Sequence, residues 1–453
     1  MRRRAVDCGC RVGQTRTMDT MTLHRPARTV PVPAPAPVAD NSAAAGFDAR
    51  AIDAQTPEQL VATCSDKWTR YPGCTGAFIA EMDLGLAPCI QNALIDAVRQ
   101  CELGYISDPW KRRVARACAD WQCERYGWDV DPACIRPVPD VLEAFEVFLR
   151  EFVGAGRSIV VPTPAYMPFL SVPRLYGVEV IEIPMRRTEG SDGVDGWSFD
   201  FAAIRAAFEQ GCRAFVLCNP HNPIGKVLTV DEMQTISALA DEYDVRIFND
   251  EIHAPFVFEG RHVPFATIGT TAAMQSMTAT SASKAFNIPG IKCAQVILTN
   301  PADLKIWMDR AEWSEHQTAT IGAVGAEAAY RGGAAWLDNA LAYLRRNAEL
   351  MNRAMAERFP GVRYVPPAGT YIAWLDFTAL GLNDPAAYFR ERAQVAMTPG
   401  IECGANGVGC ARFNFAMPYP LLERSLERMR AALEEEGLVR SGVPSARSFA
   451  MRA

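Results

Sequence analysis

The sequence lacks an excess of basic residues and lacks long apolar runs. Its 453 residues carry a formal net charge of −6, so no positive field attracts nucleic acid or an anionic membrane surface. No apolar stretch approaches the roughly 18 residues that a membrane-spanning helix needs. We therefore expect a protein without a nucleic-acid or membrane partner.

Patterns typical of metal sites are also missing. The five histidines are spread from His24 to His316, and the 14 cysteines include no pair with C-x-x-C spacing. Cys8 and Cys10 are too close together for a usual zinc half-site. We predict no metal site, and we expect free thiols in a reducing cytoplasm.

Both ends of the sequence are predicted to lie outside the folded core. Residues 1–4 are basic, but no apolar segment follows them, which argues against a secretion signal. Residues 30–38 alternate proline with valine and alanine, a pattern typical of an extended segment. We expect a disordered or extended tail over residues 1–46, a loose tail over 437–453, and a cytoplasmic protein.

The region between these tails has an ordinary globular composition, and its length suggests more than one domain. Short apolar runs alternate there with helical patterns, and the runs occupy residues 158–161, 178–183, 214–217, 245–248, 277–280 and 294–298. Such alternation predicts an α/β fold with a mainly parallel sheet flanked by helices. We assign residues 78–311 to this large domain, and residues 47–77 together with 312–436 to a smaller α+β domain.

One lysine stands at the end of a predicted strand among small and hydroxylated residues. Residues 278–284 have the sequence Thr-Ala-Thr-Ser-Ala-Ser-Lys, so Ser281 and Ser283 come just before Lys284. A desolvated lysine loses its proton easily and can form a Schiff base with a carbonyl group. The two serines suit a bound phosphate. Taken alone, however, the run fits a surface lysine in a loop better.

Two polar segments follow other predicted strands, at the edge where ligands of open α/β sheets bind. Residues 218–226 contain two Asn-Pro steps, which force an extended turn and can aim Asn222 at a ligand oxygen. Residues 248–253 carry Asp250 and His253. A carboxylate beside a heterocyclic nitrogen would keep that nitrogen protonated. The alternatives are a plain loop for the first segment, and a capping pair or a base dyad for the second.

Two further segments could bind anions. Asp140 precedes a predicted helix, and the free N–H groups at a helix N-terminus can bind phosphate. Arg412 lies on a predicted strand, and its guanidinium could hold a carboxylate through two hydrogen bonds. An ordinary helix start and a surface arginine are the default interpretations of each segment alone.

Taken in order, these motifs resemble those of the fold-type I pyridoxal-phosphate enzymes, the class I/II aminotransferase superfamily. The nearest likeness is to the MalY/PatB branch of cystathionine β-lyase-like C–S lyases. It rests on an Arg-x-Asn-Phe motif at Arg412 and on residues 163–169, 219–226, 249–253 and 284–292. The resemblance extends over residues 78–436. It implies a fold-type I PLP-dependent transferase fold, a pyridoxal 5′-phosphate cofactor, and a homodimer with active sites at the subunit interface.

The resemblance also implies a role for each site residue. Lys284 would be the catalytic Schiff-base lysine, Asp250 would pair with the pyridine nitrogen, and Arg412 would bind the substrate α-carboxylate. Asn222 would contact the cofactor 3′-oxygen and the substrate. The remaining implied cofactor contacts come from His253, from Tyr166 stacked on the ring, from Ser281, Ser283, Lys292 and the backbone N–H groups of Val141 and Leu142 at the phosphate, and from Tyr105 at the neighbouring subunit's phosphate.

The sequence departs from the family pattern at several positions. Asp140 stands where relatives often have glycine, although its side chain could cap its own helix. Lys292 replaces the arginine that is usual in aminotransferases. Residues 81–83 vary a segment that borders the substrate in relatives, which indicates a different substrate.

The implied activity is α,β-elimination by a C–S β-lyase. A cysteine S-conjugate or a cystathionine-like amino acid, including one from specialised metabolism, would be converted to a thiol, pyruvate and ammonia. The same motifs support transamination, and decarboxylation or deamination of a cysteine conjugate is a further alternative. A non-catalytic regulatory protein that only keeps the fold is the alternative from another class. The motifs do not decide among these outcomes.

Overall fold

The computed structural model describes residues 46–189, 195–258 and 260–439. The predicted N-terminal tail, with Cys8 and Cys10, lies outside these residues except for Gly46, and so does the predicted C-terminal tail from residue 440 onward. Residues 437–439 of that tail are described and Val439 is buried, so the chain stays packed up to that point. Among the described residues, no helix combines the length and the apolar character needed to cross a membrane.

Fifteen strands and seventeen α-helices make up the described part of the chain. The strands are β1 (Thr75–Gly76), β2 (Ile135–Val138), β3 (Ser158–Thr163), β4 (Glu179–Pro184), β5 (Arg186–Glu189), β6 (Asp195–Ser198), β7 (Ala214–Cys218), β8 (Arg246–Asp250), β9 (Ser276–Thr280), β10 (Ala294–Ile297), β11 (Arg363–Tyr364), β12 (Ile372–Asp376), β13 (Val395–Ala396), β14 (Thr398–Pro399) and β15 (Cys410–Asn414). The helices are α1 (Ala49–Asp53), α2 (Pro57–Val61), α3 (Asp66–Thr69), α4 (Pro88–Arg99), α5 (Asp108–Tyr126), α6 (Val141–Val147), α7 (Pro168–Leu175), α8 (Phe201–Glu209), α9 (Val230–Glu242), α10 (Thr270–Gln275), α11 (Ala282–Ala285), α12 (Pro301–Arg310), α13 (Glu312–His316), α14 (Thr320–Gly332), α15 (Ala334–Arg358), α16 (Pro385–Ala393) and α17 (Tyr419–Glu435).

A seven-stranded sheet forms the centre of the fold, with strand order β2-β10-β9-β8-β7-β3-β4. Strands β9, β8, β7, β3 and β4 are parallel, whereas β10 runs antiparallel to both of its neighbours. The predicted α/β fold with a mainly parallel sheet is therefore confirmed. Successive residues of one strand enter different core layers: Val216 and Phe248 pack with one cluster, and Phe215 and Ile247 with the other. This alternation is expected of strands that are covered on both faces.

The register of the sheet brings the ends of three parallel strands together. Cys218 at the end of β7 pairs with Asp250 at the end of β8, and Asp250 pairs with Ala279 in β9. The segments carrying Asn222, Asp250 and Lys284 therefore leave the sheet at the same edge.

A second, antiparallel sheet has the order β11-β12-β15-β14. Arg412 lies in its interior strand β15, paired with Trp374 on one side and Thr398 on the other. Strands β1 and β13 pair in parallel as a separate two-stranded sheet. The division into two domains stays a prediction. Helix α14, which lies beyond the predicted boundary, packs against α4 and α5.

Candidate active site

The amine of Lys284 lies on α11, the short helix directly after β9. Its Nζ donates to the carbonyl oxygen of Ala80 at 2.9 Å, and the Tyr371 hydroxyl donates to the same oxygen at 3.0 Å. Burial and the nearby Arg412 charge lower the pKa of Lys284 to about 8, although Glu81 and Asp250 partly oppose this shift. An amine with a lowered pKa is suited to act as a nucleophile and as a base.

Asp250 is a buried carboxylate at the end of β8. Its Oδ1 accepts from the Ile252 N–H at 2.9 Å. Burial raises the pKa of Asp250 to about 7, while the Ile252 N–H and Lys284 act in the opposite direction. The ionised form therefore lacks solvation, and a cationic ligand nitrogen beside it would restore that form.

His253 is buried one turn further along the chain. Burial, together with the positive charges of Lys284 and Arg412, lowers its pKa to about 3, so the ring is neutral. Its Nδ1 has no hydrogen-bond partner within residues 46–189, 195–258 and 260–439. A buried unpaired ring nitrogen is costly and is free to meet a ligand.

Arg412 is a buried guanidinium that is only 3% exposed. Its Nε donates to Thr398 Oγ1 at 3.3 Å, its Nη1 to Asn222 Oδ1 at 3.4 Å, and its Nη2 to the Phe78 carbonyl oxygen. No carboxylate of the described chain forms an ion pair with it. Burying an unpaired charge is expensive, so a bound carboxylate would be strongly favoured at this point.

The predicted phosphate-binding groups lie around two helix starts. Lys292 Nζ pairs with Asp140 Oδ2 at 2.9 Å, while Asp140 Oδ1 caps α6 by accepting from the Glu143 N–H at 2.9 Å. The acid that departs from the family pattern is thus an N-cap with a lysine counter-ion. Val141 and Leu142 begin α6, and the N–H groups of a first helical turn have no acceptor within their helix.

Ser281 has a structural role in addition to the predicted one. Its hydroxyl donates to the Cys293 carbonyl at 2.9 Å and accepts from the Ser283 N–H at 3.0 Å, which caps α11. Its contact with a phosphate stays a prediction, and it would have to share the hydroxyl with these partners.

The two predicted tyrosines have different surroundings. Tyr166 is half-buried and packs edge-on against Phe169, with 5.5 Å between ring centroids. Burial raises its pKa, which the charges of Arg412 and Asp250 also influence. Tyr105 is 84% exposed. Its ring stacks on His316, which is not one of the predicted site residues, with 4.9 Å between ring centroids.

Sequence reasoning missed Tyr371, which lies just before β12. It is fully buried, shares the Ala80 oxygen with Lys284, and lies edge-on to His253 with 5.8 Å between ring centroids. No motif marks it, because an aromatic residue at the start of a strand is common in any core.

These groups fit pyridoxal 5′-phosphate on their own chemistry. A lysine of lowered pKa suits the aldehyde, a buried carboxylate without full solvation suits the ring nitrogen, and a helix start with a nearby lysine suits the phosphate. The guanidinium of Arg412, which has no carboxylate partner in the part of the chain that the structure describes, could bind a substrate carboxylate.

Comparison with known proteins agrees with this chemistry. The family model of aminotransferase class I and II matches residues 119–429. The chain is 34% identical to the cystathionine beta-lyase of Corynebacterium glutamicum, over 81% of this chain and 96% of that protein. It is 30% identical to the cystathionine beta-lyase PatB of Bacillus subtilis, over 83% and 98%.

A solved structure shows the same architecture. Cystalysin from Treponema denticola is described as containing a pyridoxal 5′-phosphate cofactor. It superposes on this chain with a TM-score of 0.77 at 26% identity. The match covers 84% of this chain and 98% of cystalysin. The family model thus matches more than half of the chain, and both lyases are at least 30% identical to it. The chain belongs to the aminotransferase class I and II family.

Proposed function

We propose that the protein is a pyridoxal 5′-phosphate-dependent C–S β-lyase that acts on a cysteine S-conjugate or a cystathionine-like amino acid. One observation carries the proposal: Lys284 has an amine of lowered pKa, and near it lies the buried guanidinium of Arg412, which has no counter-ion among the described residues. An α-amino acid offers the carboxylate and the acidic Cα–H that such a pair requires. The relatives described as cystathionine beta-lyases support the lyase outcome.

The cofactor, when bound, supplies an aldehyde for covalent attachment and a ring that accepts the electron pair left at Cα. Lys284 would attach it, and Asp250 would stabilise a protonated ring nitrogen. Asn222 would contact the 3′-oxygen, and Tyr166 would stack on the ring. Ser281, Ser283, Lys292 and the N–H groups of Val141 and Leu142 would hold the phosphate.

The residues of the chain then act on the substrate. Arg412 binds the α-carboxylate together with Asn222, which fixes the orientation of the Cα–H bond. Once the substrate's amino group has replaced it on the aldehyde, Lys284 Nζ would be free to remove the Cα proton as general base, and its lowered pKa keeps part of the amine neutral near pH 7. The buried ring of His253 stays uncharged and so does not compete for the carboxylate.

The overall reaction is balanced with water as the only co-reactant. The Cβ–S bond breaks, the sulfur leaves with its electron pair and is protonated to the thiol, and hydrolysis of the remaining three-carbon unit gives pyruvate and ammonia. No keto-acid is consumed, which separates this reaction from transamination by the same groups.

We also infer that the protein acts as a homodimer in the cytoplasm. Tyr105 supports the dimer, because a tyrosine that is 84% exposed is available to reach the phosphate of a neighbouring subunit. The free cysteines of the described residues support a reducing compartment.

The test is incubation with L-cystathionine without any keto-acid. Pyruvate and free thiol should appear in equal amounts, and Lys284→Ala should release neither. Product that forms only after a keto-acid is added would instead identify a transaminase. A cofactor-free, inactive wild-type protein would contradict the enzyme assignment altogether.

A further inference from the structure

We propose that Lys67 is a positioning residue for this reaction and acts through the main-chain segment of residues 78–83, which we call the active-site strap. The inference rests on the proposed roles of Lys284 and Arg412. Lys67 itself belongs to helix α3 and is bound to the strap rather than to any group assigned to chemistry.

The strap has no helical or strand structure, so side chains bind its carbonyl groups. The Phe78 oxygen accepts from Thr398 Oγ1 at 2.7 Å and from Arg412 Nη2. The Ala80 oxygen accepts from Lys284 Nζ at 2.9 Å. The position of the strap therefore sets the positions of the amine and of the guanidinium together.

Lys67 fixes the other end of the strap. It is 1% exposed, and its Nζ donates to the Glu81 carbonyl at 3.0 Å, to Asp83 Oδ2 at 2.8 Å and to the Ala416 carbonyl at 3.0 Å. An ammonium has three hydrogens, so all of them are used. The Glu81 oxygen belongs to the peptide group that directly follows the one on which Lys284 rests.

Neighbouring residues make this contact possible and rigid. Trp68 Nε1 donates to Asp83 Oδ1 at 2.9 Å, which orients the carboxylate toward Lys67. Gly76 passes so close to the Lys67 main chain that an added Cβ would lie 2.0 Å from the Lys67 carbonyl oxygen. The strand that leads into the strap is therefore pressed against the residue that holds it.

Other side chains keep the strap ordered when Lys67 is lost. Asn414 Nδ2 donates to the Ile79 carbonyl at 2.6 Å and to the Glu81 carbonyl at 2.7 Å. Asn287 exchanges two hydrogen bonds with Met82, at 2.8 and 2.7 Å. Removing the Lys67 contact should thus displace the strap slightly rather than unfold it, and a misplacement of about 1 Å can cost about a hundredfold in rate.

The test compares two double variants. Lys67→Met with Asp83→Asn removes both charges of the strap pair, and the new amide oxygen can still accept from Trp68. Arg246→Met with Asp303→Asn is the matched control, because this partly buried pair lies at the start of β8, the end opposite Asp250. The melting temperature, the KM, and the kcat per bound cofactor are measured for both double variants. The pH dependence of the rate at which cofactor-free protein captures pyridoxal 5′-phosphate, fixed with borohydride, is measured as well.

The strap variant, Lys67→Met with Asp83→Asn, should lose about a hundredfold in kcat/KM. The midpoint of the pH dependence of cofactor capture should move by about half a pH unit or more, because the surroundings of Lys284 change. The control variant should lose about as much thermal stability as the strap variant, but its kcat/KM and the pH midpoint of its cofactor capture should stay at the wild-type values. Equal losses in the two variants, or an unchanged midpoint and kcat/KM in the strap variant, would overturn the proposal. If the wild type releases no thiol from any conjugate, the lyase function fails, while the capture midpoint still tests the role of Lys67.

Discussion

Lys284 and Tyr371 share one acceptor, the carbonyl oxygen of Ala80, at 2.9 and 3.0 Å. An oxygen that also serves a neutral hydroxyl stabilises the ammonium form of the lysine less than an oxygen that serves the lysine alone. The buried phenol therefore helps to keep the amine ready to lose its proton.

Replacing Tyr371 with phenylalanine should raise the pKa of Lys284. The expected rise is up to about one unit, since one hydrogen bond contributes about 0.5–1.5 kcal/mol and one pKa unit equals about 1.4 kcal/mol. The acid limb of the kcat profile, which reports groups of the enzyme–substrate complex, should move to higher pH by the same amount. Tyr364→Phe is the control, because that hydroxyl binds Asn352 instead. A limb that stays in place would show that the phenol does not act on the amine.

Asp250 should make the cofactor-free protein less stable as the pH rises. Its pKa in the folded protein is about 7, above its ordinary value of 3.8, so the folded state binds the proton more tightly than the unfolded state does. The stability that protonated Asp250 contributes is therefore lost as the pH rises from about 4 to about 7. Asp250→Asn removes this loss, so the variant should gain on the order of 4 kcal/mol relative to wild type between pH 4 and pH 8.

Urea unfolding of both proteins across this range provides the measurement. The difference between variants is the relevant quantity, because burial lowers the pKa values of His253 and His221 and these groups change stability in the opposite sense. Asp241→Asn, at an exposed position, should track the wild type. Parallel curves for wild type and Asp250→Asn would contradict the prediction.

Arg412→Met should separate substrate binding from stability. The guanidinium is buried without an ion-pair partner among the described residues, so relief of its desolvation should offset the hydrogen bonds lost to Thr398, Asn222 and the Phe78 carbonyl, and the melting temperature should change little. For the amino-acid substrate, kcat/KM should fall by at least about a hundredfold, mainly through KM, because the carboxylate loses its partner. Arg428→Met should do the opposite: this half-buried arginine donates to Thr75 Oγ1 at 2.6 Å, so stability should fall while KM is kept. A large loss of stability in Arg412→Met would point to a structural role.

Tyr105→Phe should weaken the retention of pyridoxal 5′-phosphate. A hydrogen bond to a charged group contributes about 1.5–3 kcal/mol, which corresponds to a loss of roughly tenfold or more in affinity. The dissociation constant is measured by equilibrium dialysis, and sedimentation checks that the oligomeric state is the same. Unchanged affinity in a dimeric variant would exclude the contact across the interface.

Much of the site was predictable because its residues follow buried strands. The apolar runs of β7, β8 and β9 can be recognised in the sequence. Because these strands are parallel, their carboxyl ends lie at one edge of the sheet, where Asn222, Asp250 and Lys284 are found. Helix α9 begins with a capping box, in which the Thr229 side chain accepts from the Glu232 N–H and the Glu232 side chain accepts from the Thr229 N–H. Such a box can be predicted from local sequence, because its two residues are only three positions apart.

The active-site strap could not be predicted in the same way. Its contacts join side chains to main-chain carbonyls across long sequence distances, 204 residues for Lys284 and 291 for Tyr371. Such contacts leave no periodic pattern, and nothing in the sequence around Lys67, one of six lysines, shows that it is buried. Asn414, two residues after Arg412, likewise binds two strap carbonyls through its amide, and no local pattern predicts these contacts.

The bond between Lys67 and Ala416 spans 349 residues, and this separation bears on how the protein is made. During synthesis the N-terminal elements leave the ribosome early, yet the strap lacks its contacts with Arg412 and Asn414, and Lys67 lacks the Ala416 carbonyl, until strand β15 and residue 416 have emerged. Nearly the whole polypeptide must therefore be translated before the strap, whose Ala80 carbonyl binds Lys284, has all of its partners. A ribosome stalled earlier would hold a chain that already has most of its central sheet but an incompletely anchored strap.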